Sequence, residues 1–307
     1  MVYDVIIIGG GPAGLTAGLY TSRGRLKSLL IEKAFTGGQV MTTEWIENYP
    51  GFEDGISGAE LSQKMEKQAT RFGLEIIQGS VVNISLNGRM KEILLEDDRQ
   101  YEARSIILAT GSNPRLLKIE GEDTFRGRGV SYCATCDGAF FKGEKLAVIG
   151  GGDSAVEEGL FLTKFADTVY IVHRRDLLRA AKVVQERAFA NPKIKFVWNS
   201  VPEKIEGDDR GVKSLHIKNI KTGEQSSLKV GGVFIYVGYN PNTAFLRGLV
   251  DLNENNYIIT DENMSSSTPG IFAAGDVRAK PLKQVATAVG DGAIAGVSAE
   301  KYIEENF

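Results

Sequence analysis

The sequence contains few cysteines and few histidines, and this scarcity excludes several kinds of site. Two cysteines, Cys133 and Cys136, and two histidines, His173 and His216, occur among 307 residues. A zinc site needs four nitrogen, sulfur or oxygen ligands, so zinc at the cysteines would require ligands from another chain. A framework of several disulfides is excluded by the same count. The sequence is typical of a chain from the reducing cytoplasm, where a cysteine pair is more often catalytic than structural.

The sequence also lacks long apolar runs and an excess of charge of one sign. No stretch reaches the apolar length needed to cross a bilayer, and a strand pattern begins at Tyr3, which leaves no room for a signal peptide. The net charge of −3 indicates neither a nucleic acid nor an anionic membrane as partner. A hydrophobic fraction of 42% and a length of 307 residues predict a globular chain with room for two domains.

The two cysteines are separated by two residues, in the order Cys133-Ala134-Thr135-Cys136-Asp137. This C-x-x-C spacing allows a small disulfide ring, and neighbouring amides and charges can lower the pKa of one thiol. We interpret the pair as a redox disulfide. Two unrelated core cysteines, or half of a zinc site, are the alternatives.

A first dinucleotide-binding pattern opens the chain. The apolar run from Tyr3 to Ile8 is typical of a buried parallel strand. It leads into the sequence GGGPAG at residues 9–14 and then into a helical pattern. In this context Gly9 permits a tight turn, Gly11 lets the backbone approach a pyrophosphate, and Gly14 allows close packing of helix and strand. The next predicted strand, Ser28–Ile31, ends in Glu32, which can bind a ribose hydroxyl pair; a solvated strand-end charge is the alternative.

A second pattern of the same kind follows the cysteines. A predicted strand, Lys145–Ile149, leads into GGGDSA at residues 150–155 and a helix predicted to run to Phe165. The following strand ends not in a carboxylate but in His173-Arg174-Arg175, with Arg179 one helical turn further on. Arginines at this place favour a 2′-phosphate, and therefore NADP over NAD; a solvated basic loop is the alternative. The two strand ends predict two different dinucleotides on one chain.

Other elements are less specific. An amphipathic helix is predicted over Ser57–Phe72 with Ser57 as its cap, alternating strands over Lys193–Val237, and a long helix over Lys283–Ile303. Asp276, after a buried strand, can cap that helix or hold a cofactor hydroxyl. The pattern restarts near Asn113-Pro114 and again at residues 238–242.

With these residues in view, the chain resembles the low-molecular-weight thioredoxin reductases over essentially its whole length. The most specific segment is GRGVSYCATCDG at residues 127–138, followed by VIGGG at 148–152 and HRR at 173–175. The resemblance implies an α/β fold of two Rossmann-like dinucleotide-binding domains. The FAD-binding domain would be discontinuous, residues 1–113 and 241–307. The NADPH-binding domain, residues 114–240, would be inserted with the disulfide, and the protein would be a homodimer.

Matching motifs imply the residues that contact each cofactor. For FAD they are Gly9, Gly11, Pro12, Ala13, Gly14, Glu32, Gly37, Gly38, Gln39, Asn48, Thr110, Gly111, Gly275, Asp276, Lys283, Gln284 and Val285. Lys283 stands where the family often has arginine, which keeps the charge but loses the planar fork. For NADPH they are Gly150, Gly152, Asp153, Ser154, Glu157, His173, Arg174, Arg175 and Arg179.

The resemblance also implies a reaction. NADPH would reduce FAD, FAD would reduce the Cys133–Cys136 disulfide, and the dithiol would reduce thioredoxin. Cys136 would lie nearest the flavin and Cys133 would exchange with the partner. Asp137 is the candidate proton donor and acceptor, since no histidine follows His216; a turn or cap aspartate is the alternative.

Two further implications concern the partner and domain motion. Phe140 and Phe141 resemble the aromatic pair presented to thioredoxin, with ordinary core residues as the alternative. Because flavin, nicotinamide and partner must all reach one site, the inserted domain is expected to rotate between two states. The alternative hypotheses are a dithiol oxidase or ferredoxin-driven reductase and a flavin-bound redox sensor. A ferredoxin- or flavodoxin-NADP reductase is a further alternative, which the cysteines disfavour.

Overall fold

A computed structural model of the chain describes residues 2–43, 45–246 and 248–307. Its strands, in chain order, are β1 (Val2–Ile8), β2 (Ser28–Glu32), β3 (Glu75–Gln78), β4 (Val81–Asn87), β5 (Met90–Leu95), β6 (Gln100–Leu108), β7 (Ser112–Pro114), β8 (Val130–Ser131), β9 (Lys145–Ile149), β10 (Thr168–Val172), β11 (Ile194–Val197), β12 (Ser200–Asp208), β13 (Gly211–Asn219), β14 (Gln225–Lys229), β15 (Gly232–Ile235), β16 (Tyr239–Pro241) and β17 (Ile271–Ala273). Its helices are α1 (Pro12–Arg23), α2 (Gly58–Thr70), α3 (Ala134–Asp137), α4 (Asp153–Leu162), α5 (Lys182–Ala190) and α6 (Val285–Asn306).

The chain forms two compact units. Unit 1 comprises Met1–Asn113 and Asn240–Phe307, and unit 2 comprises Pro114–Tyr239. The chain passes between the units through β7 and β16, and these two connecting strands pair with each other. Unit 1 is therefore built from both ends of the sequence, and unit 2 is inserted into it.

Unit 1 is organised by a sheet in the order β3-β2-β1-β6-β5-β4, with β17 also paired to β6. The pairs β3–β2, β2–β1, β1–β6 and β6–β17 are parallel, whereas β4, β5 and the start of β6 form an antiparallel meander. Parallel strands bring their carboxyl ends to one edge of a sheet, which is where ligands of such folds bind. The loops after β1, β2, β6 and β17 therefore share one edge.

The alternating side chains of β1 divide the core of unit 1 into two layers. Val5 and Ile7 lie in the layer that α1 and α6 cover, together with small residues of both helices such as Ala17 and Ala295. Ile6 and Ile8 lie in the layer on the other side. Both faces of the central strands are thus buried, as their continuous apolar sequence predicts.

Unit 2 contains a parallel sheet in the order β11-β10-β9-β15-β8 and a separate antiparallel meander, β12-β13-β14. The carboxyl end of β9 leads into the second glycine-rich loop, and α3 follows β8 directly. The disulfide segment is therefore joined to the same sheet that carries this loop.

The α/β class with two Rossmann-like units is confirmed, and the bounds of two helices differ from expectation. The run of strands predicted over Lys193–Val237 is present as β11 to β15, and of these β11 and β15 belong to the parallel sheet. Helix α4 ends at Leu162 rather than Phe165, where the chain turns so that Gly143 N–H donates to the Phe165 carbonyl. The last helix begins at Val285 and reaches Asn306. None of the helices in the described residues is both long and apolar enough to span a membrane.

Candidate redox site and nucleotide-binding loops

Cys133 and Cys136 are joined by a disulfide at the start of α3, with their Cα atoms 5.4 Å apart. Because each sulfur is bonded to the other, neither a zinc ligand pair nor two separate core cysteines describes this site. Cys133 caps α3, and its Sγ accepts a hydrogen bond from the Cys136 N–H at 3.2 Å. Cys136 is exposed, whereas Cys133 is half-buried. The ring thus joins a half-buried cysteine, whose sulfur faces a backbone amide, to an exposed one.

The backbone on the Cys133 side of the ring is held by two hydroxyl groups. Ser131 Oγ accepts from the Cys133 N–H at 3.0 Å and donates to the Cys133 carbonyl at 3.2 Å. Tyr236, which follows β15, accepts from the Ala134 N–H at 2.9 Å. Burial, followed by the Glu158 carboxylate, raises the pKa of the Tyr236 phenol far above its ordinary value. The hydroxyl group therefore stays neutral.

A buried carboxylate anchors the residue before Cys133. Tyr132 OH donates to Glu122 Oε1 at 2.6 Å, and Glu122 also accepts from the N–H groups of Leu117 and Lys118. Burial and the Glu122 bond raise the pKa of Tyr132. Neither Tyr132 nor Glu122 could be predicted as part of this site, because a tyrosine beside the cysteines and an acidic residue eleven positions before Cys133 belong to no motif.

The remaining predicted residues of the redox segment have different environments. Asp137 N–H donates to the Cys133 carbonyl at 3.2 Å, and the half-buried carboxylate makes no side-chain hydrogen bond to the described residues. Phe140 is 82% exposed, whereas Phe141 packs edge-on against Phe234 at 5.5 Å between ring centroids. The aromatic pair is therefore divided: Phe140 faces solvent, and Phe141 contributes to the core of unit 2.

The first glycine-rich loop, after β1, has the backbone that its sequence requires. Gly9 has a φ of +107°, and a Cβ atom there would lie 2.3 Å from the Ala109 carbonyl oxygen. A Cβ on Gly14 would lie 1.9 Å from the Gly9 oxygen, so α1 starts as close to β1 as predicted. A Cβ on Gly11 would meet nothing within 4 Å. The loop thus presents open backbone at Gly11, as an approaching phosphate requires.

Glu32 lies at the end of β2 against this loop. Its Oε2 accepts from the Gly10 N–H at 2.6 Å and its Oε1 from the Ala34 N–H at 3.0 Å. A carboxylate oxygen can accept more than one hydrogen bond, so the bonds to Gly10 and Ala34 leave capacity for ribose hydroxyls. The carboxylate is fixed next to the open backbone, where a nucleotide ribose would lie.

Further loops of unit 1 meet the first glycine-rich loop. The Gly37 N–H donates to the Gly10 carbonyl at 2.7 Å, and a Cβ on Gly38 would lie 3.3 Å from the Gly11 Cα. A Cβ on Gly275 would lie 2.8 Å from the Ala13 Cβ. These glycines form a narrow set of turns around the start of α1, beside Pro12, the first residue of α1.

Polar side chains connect the outer loops of unit 1 in pairs. Asn48 Nδ2 donates to Gln284 Oε1 at 3.1 Å, and Gln284 caps α6 immediately before Val285. Thr110 and Asn242 exchange hydrogen bonds, with each side chain bonded to the other's carbonyl group. Gln39 Nε2 contacts the Ser112 carbonyl at 3.4 Å, and Gly111 has a φ of +62°. Asn242 is a partner that the sequence did not indicate.

Asp276, in the turn after β17, is a carboxylate with unused hydrogen-bonding capacity. Its Oδ1 is buried and has no hydrogen-bond partner among the described residues, with Lys280 Nζ 3.7 Å away. Burial raises the pKa of Asp276. Lys283 Nζ donates to the carbonyl groups of Asp276 and Arg278 and lies 3.8 Å from the centre of the Tyr257 ring. Burial lowers the pKa of Lys283 to about 8.

A buried ion network supports this turn from α6. Asp291 pairs with Arg278 and with Lys280, at 2.9 Å in both cases, and its Oδ2 also accepts from the Gly275 N–H at 3.0 Å. These residues were not predicted, although a lone aspartate in the Ala- and Gly-rich α6 is a signal in the sequence. The network fixes the Gly275–Asp276 turn beside the glycine-rich loop.

The second glycine-rich loop, in unit 2, repeats the geometry of the first. Gly150 has a φ of +150°, and a Cβ there would lie 2.4 Å from the Tyr236 carbonyl oxygen. A Cβ on Gly152 would meet nothing within 4 Å. Asp153 Oδ1 accepts from the Ala181 N–H at 2.6 Å, while Ser154 and Glu157 are exposed on α4.

His173 takes the position in unit 2 that Glu32 has in unit 1. A Cβ on Gly151 would lie 2.5 Å from the His173 ring, just as one on Gly10 would meet the Glu32 side chain at 3.2 Å. His173 is buried, its Nε2 has no partner in the described part of the chain, and burial, followed by the Arg179 charge, lowers its pKa. The second loop therefore carries a neutral imidazole where the first carries a carboxylate.

The three arginines of this region are exposed next to the loop. Arg174 and Arg175 directly follow His173, and the Arg179 N–H donates to the Gly151 carbonyl at 2.6 Å. The donor set of this loop, arginines with no carboxylate at the strand end, fits a nucleotide with an added phosphate. The donor set of the first loop, open backbone with Glu32 and a partly unsatisfied Asp276, fits a dinucleotide rich in hydroxyl groups.

Comparison with known proteins agrees with this geometry. The chain matches the pyridine nucleotide-disulphide oxidoreductase family over residues 3–292. It is 52% identical over 304 residues to a thioredoxin reductase of Listeria innocua, covering 99% of this chain and 95% of the relative.

Two solved structures cover 99% of both chains at 51% identity. They are thioredoxin reductases of Lactococcus lactis, with a TM-score of 0.97, and of Streptococcus pyogenes, with a TM-score of 0.67. The family match and the identity over nearly the whole chain show that this chain belongs to the low-molecular-weight thioredoxin reductases, a group of pyridine nucleotide-disulphide oxidoreductases.

Proposed function

We propose that this reductase transfers electrons from NADPH, through bound FAD and the Cys133–Cys136 disulfide, to oxidised thioredoxin. When bound, FAD would supply two-electron chemistry that links the nicotinamide to the disulfide. The observation that carries the proposal is the preformed disulfide in a chain with two glycine-rich loops whose strand ends differ in charge.

The contacts of each unit support the assignment of the cofactors. In unit 1, Gly11 offers open backbone, Glu32 is fixed beside it, and Asp276 has a buried oxygen with no hydrogen-bond partner in the described part of the chain. These groups would hold the pyrophosphate and hydroxyl groups of FAD. In unit 2, Gly152 offers open backbone, and exposed Arg174 and Arg175 would bind the 2′-phosphate of NADPH.

Thiol–disulfide exchange by the two cysteines accounts for reduction of the partner. Once the disulfide has gained two electrons and protons, the Cys133 thiolate attacks one sulfur of the partner's disulfide. A mixed disulfide forms, and the partner's other sulfur leaves as a thiolate and takes up a proton. Cys136 then attacks the Cys133 sulfur, which restores the ring and releases the second partner thiol. The sum is NADPH, one proton and a disulfide converted to NADP⁺ and two thiols.

Neighbours of the ring support the assigned roles. The Cys136 N–H lies 3.2 Å from the Cys133 sulfur, which favours a thiolate there. Asp137 is within the same turn and has no side-chain hydrogen bond to the described residues, so its carboxylate is available to exchange a proton with a thiol. Exposed Phe140 is the candidate contact for the partner, and Phe141 would act mainly by supporting it.

Three wider features belong to the same proposal. We infer that unit 2 rotates relative to unit 1 during the cycle, using the connections β7 and β16. Two relatives of equal identity match with TM-scores of 0.97 and 0.67, a spread expected if chains of this family occur in more than one arrangement. We also infer a homodimer. A cytoplasmic location is inferred because the two cysteines form a redox pair, and such a pair can function in a reducing compartment.

The test is steady-state oxidation of NADPH by the flavin-loaded protein, with and without oxidised thioredoxin, beside a Cys136→Ser variant. We expect thioredoxin to accelerate NADPH oxidation in the wild-type protein and to have no effect on the variant, whose flavin NADPH should still reduce. Flavin absorbance follows the first half of the reaction independently of the partner.

Two results would contradict parts of the proposal. If NADPH reduces the flavin but thioredoxin leaves the rate unchanged, thioredoxin is the wrong partner. If NADPH does not reduce the flavin, the arginine argument fails, and a ferredoxin-driven or oxidase relative takes its place.

A further inference from the structure

The hydrogen bond between Tyr236 and the redox ring has no role in the proposed exchange as it stands. Tyr236 Oη lies 2.9 Å from the Ala134 nitrogen, inside the ring closed by Cys133 and Cys136. No sequence motif marks this tyrosine, since it merely follows the apolar strand β15. The contact lies wholly within unit 2.

The Ala134 amide depends on this tyrosine. Ala134 is completely buried and opens the single turn α3, where the first N–H groups have no acceptor within the turn itself. A buried N–H without a partner costs about 1–3 kcal/mol. Tyr236 is the hydrogen-bond acceptor that the structure gives this amide.

The amide of Cys136 has a different acceptor. It donates to the Cys133 sulfur at 3.2 Å, so the amides of Ala134 and Cys136 have a phenol oxygen and a sulfur, respectively, as acceptors. The phenol cannot change this division by ionising near neutral pH. Its pKa is raised by burial first and also by Glu158, Tyr239 and Asp137, although the Ala134 bond lowers it.

We propose that Tyr236 is a positioning residue of the redox site: by holding the Ala134 amide, it keeps the Cys136 amide directed at the sulfur of Cys133 and so stabilises the thiolate left there after reduction. Without the phenol oxygen, the buried Ala134 amide must find water or another acceptor, and the turn has to shift. The Cys136 N–H then loses its alignment with the sulfur. This inference rests on the proposed role of Cys133 as the thiol that exchanges with the partner.

A single-thiol background tests the proposal without NADPH, flavin turnover or thioredoxin. In the flavin-loaded Cys136→Ser variant, the rate of alkylation of Cys133 by iodoacetamide is measured against pH, because only the thiolate reacts. Adding Tyr236→Phe removes the phenol oxygen and keeps the ring. Adding Tyr170→Phe instead removes a half-buried phenol of unit 2 that has no hydrogen bond to the described residues.

We expect Tyr236→Phe to raise the pKa of Cys133 by about one unit, since a hydrogen bond to a charged group is lost. At a pH below this pKa, the fraction of Cys133 present as thiolate should then be about tenfold lower. Tyr170→Phe should leave the alkylation profile unchanged. In the chain with both cysteines, Tyr236→Phe should shift the redox equilibrium with glutathione about tenfold toward the disulfide. This shift corresponds to a reduction potential lower by about 30 mV for a two-electron couple.

Flavin content and thermal midpoint are measured for every variant to confirm that each has folded. The proposal is overturned if Tyr236→Phe lowers only the thermal midpoint while the alkylation profile and glutathione equilibrium stay as before. It is equally overturned if Tyr170→Phe shifts the profile by the same amount. Failure of thioredoxin to accelerate NADPH oxidation would instead count against the proposed function, because thioredoxin takes no part in alkylation.

Discussion

Lys91, on β5, is an ammonium group enclosed by neutral partners. It is 1% exposed, donates to the carbonyl groups of Arg89 and Arg104 and to Tyr302 OH, and lies 4.7 Å from the centre of the Tyr302 ring. The structure records no carboxylate paired with it among the described residues. Burial lowers the pKa of Lys91 to about 8 from 10.5. Hydrogen bonds satisfy its protons, but nothing neutralises its charge.

Lys91→Met is therefore expected to change how stability depends on pH. Below pH 8, Lys91 is protonated in both the folded and the unfolded protein, and the folded protein is destabilised by the full cost of the buried charge. Between pH 8 and 10.5 the folded state loses the proton first, so the cost declines as pH rises. A shift from 10.5 to about 8 corresponds to roughly 3 kcal/mol. The thermal midpoint of Lys91→Met should exceed that of the wild type below pH 8, and this difference should shrink as the pH rises from 8 to 10.5.

Lys301→Met, which removes an exposed lysine of α6, controls for the loss of one positive charge. Parallel pH profiles of wild type and Lys91→Met would show that the ammonium group carries no such cost.

Single residues also show where sequence reasoning reaches its limit. Glu32 and Gly14 were predicted because a nucleotide loop needs a particular residue at a fixed spacing, and spacing is visible in the chain. Tyr236 and Asn242 were missed because their partners, Ala134 and Thr110, lie more than one hundred positions away. Their roles come from a meeting in space that no local pattern encodes.

At the scale of elements, the two glycine-rich loops are the same structure with different strand ends. At the end of β2 the Glu32 carboxylate contacts the loop, whereas after β10 the buried imidazole of His173 does so, and Arg174 and Arg175 remain exposed. These elements were predicted well because a buried parallel strand is a continuous apolar run. The membership of β11 and β15 in the parallel sheet was not predicted, because the sequence pattern of a short strand is similar whether its neighbours run parallel or antiparallel.

The difference in strand ends predicts nucleotide selectivity. Replacing both arginines, Arg174→Ala with Arg175→Ala, would remove the proposed contacts to the 2′-phosphate, where a single hydrogen bond to a charged group contributes about 1.5–3 kcal/mol. We expect the KM for NADPH, followed by flavin reduction, to rise about 10–100-fold. The KM for NADH serves as the internal reference and should change little, since NADH lacks the 2′-phosphate. An equal loss for both nucleotides would mean that the arginines contribute only general positive charge.

At the scale of the whole molecule, the chain crosses between two units twice, and the second crossing begins at a glycine. Gly238 precedes β16, has a φ of +115°, and has space for a Cβ with nothing within 4 Å. The proposed rotation requires the backbone here to change conformation, and glycine permits values of φ that other residues avoid. The two connections were predicted where the sequence pattern restarts, whereas the proposed rotation was inferred from the need of flavin, nicotinamide and partner to reach one disulfide.

Gly238→Ala is expected to slow turnover with thioredoxin, beyond any effect of its reduced stability. Alanine at a positive φ is strained by an amount on the order of 1–2 kcal/mol, and such a bias between two backbone states changes a rate by about five- to thirtyfold. Gly73→Ala provides the matched control, because Gly73 has a φ of +97° and equal space but lies in the loop between α2 and β3. Both variants should lose a similar amount in thermal midpoint, and only Gly238→Ala should turn over slowly. Equal turnover in the two variants would mean that the second connection does not have to move during the cycle.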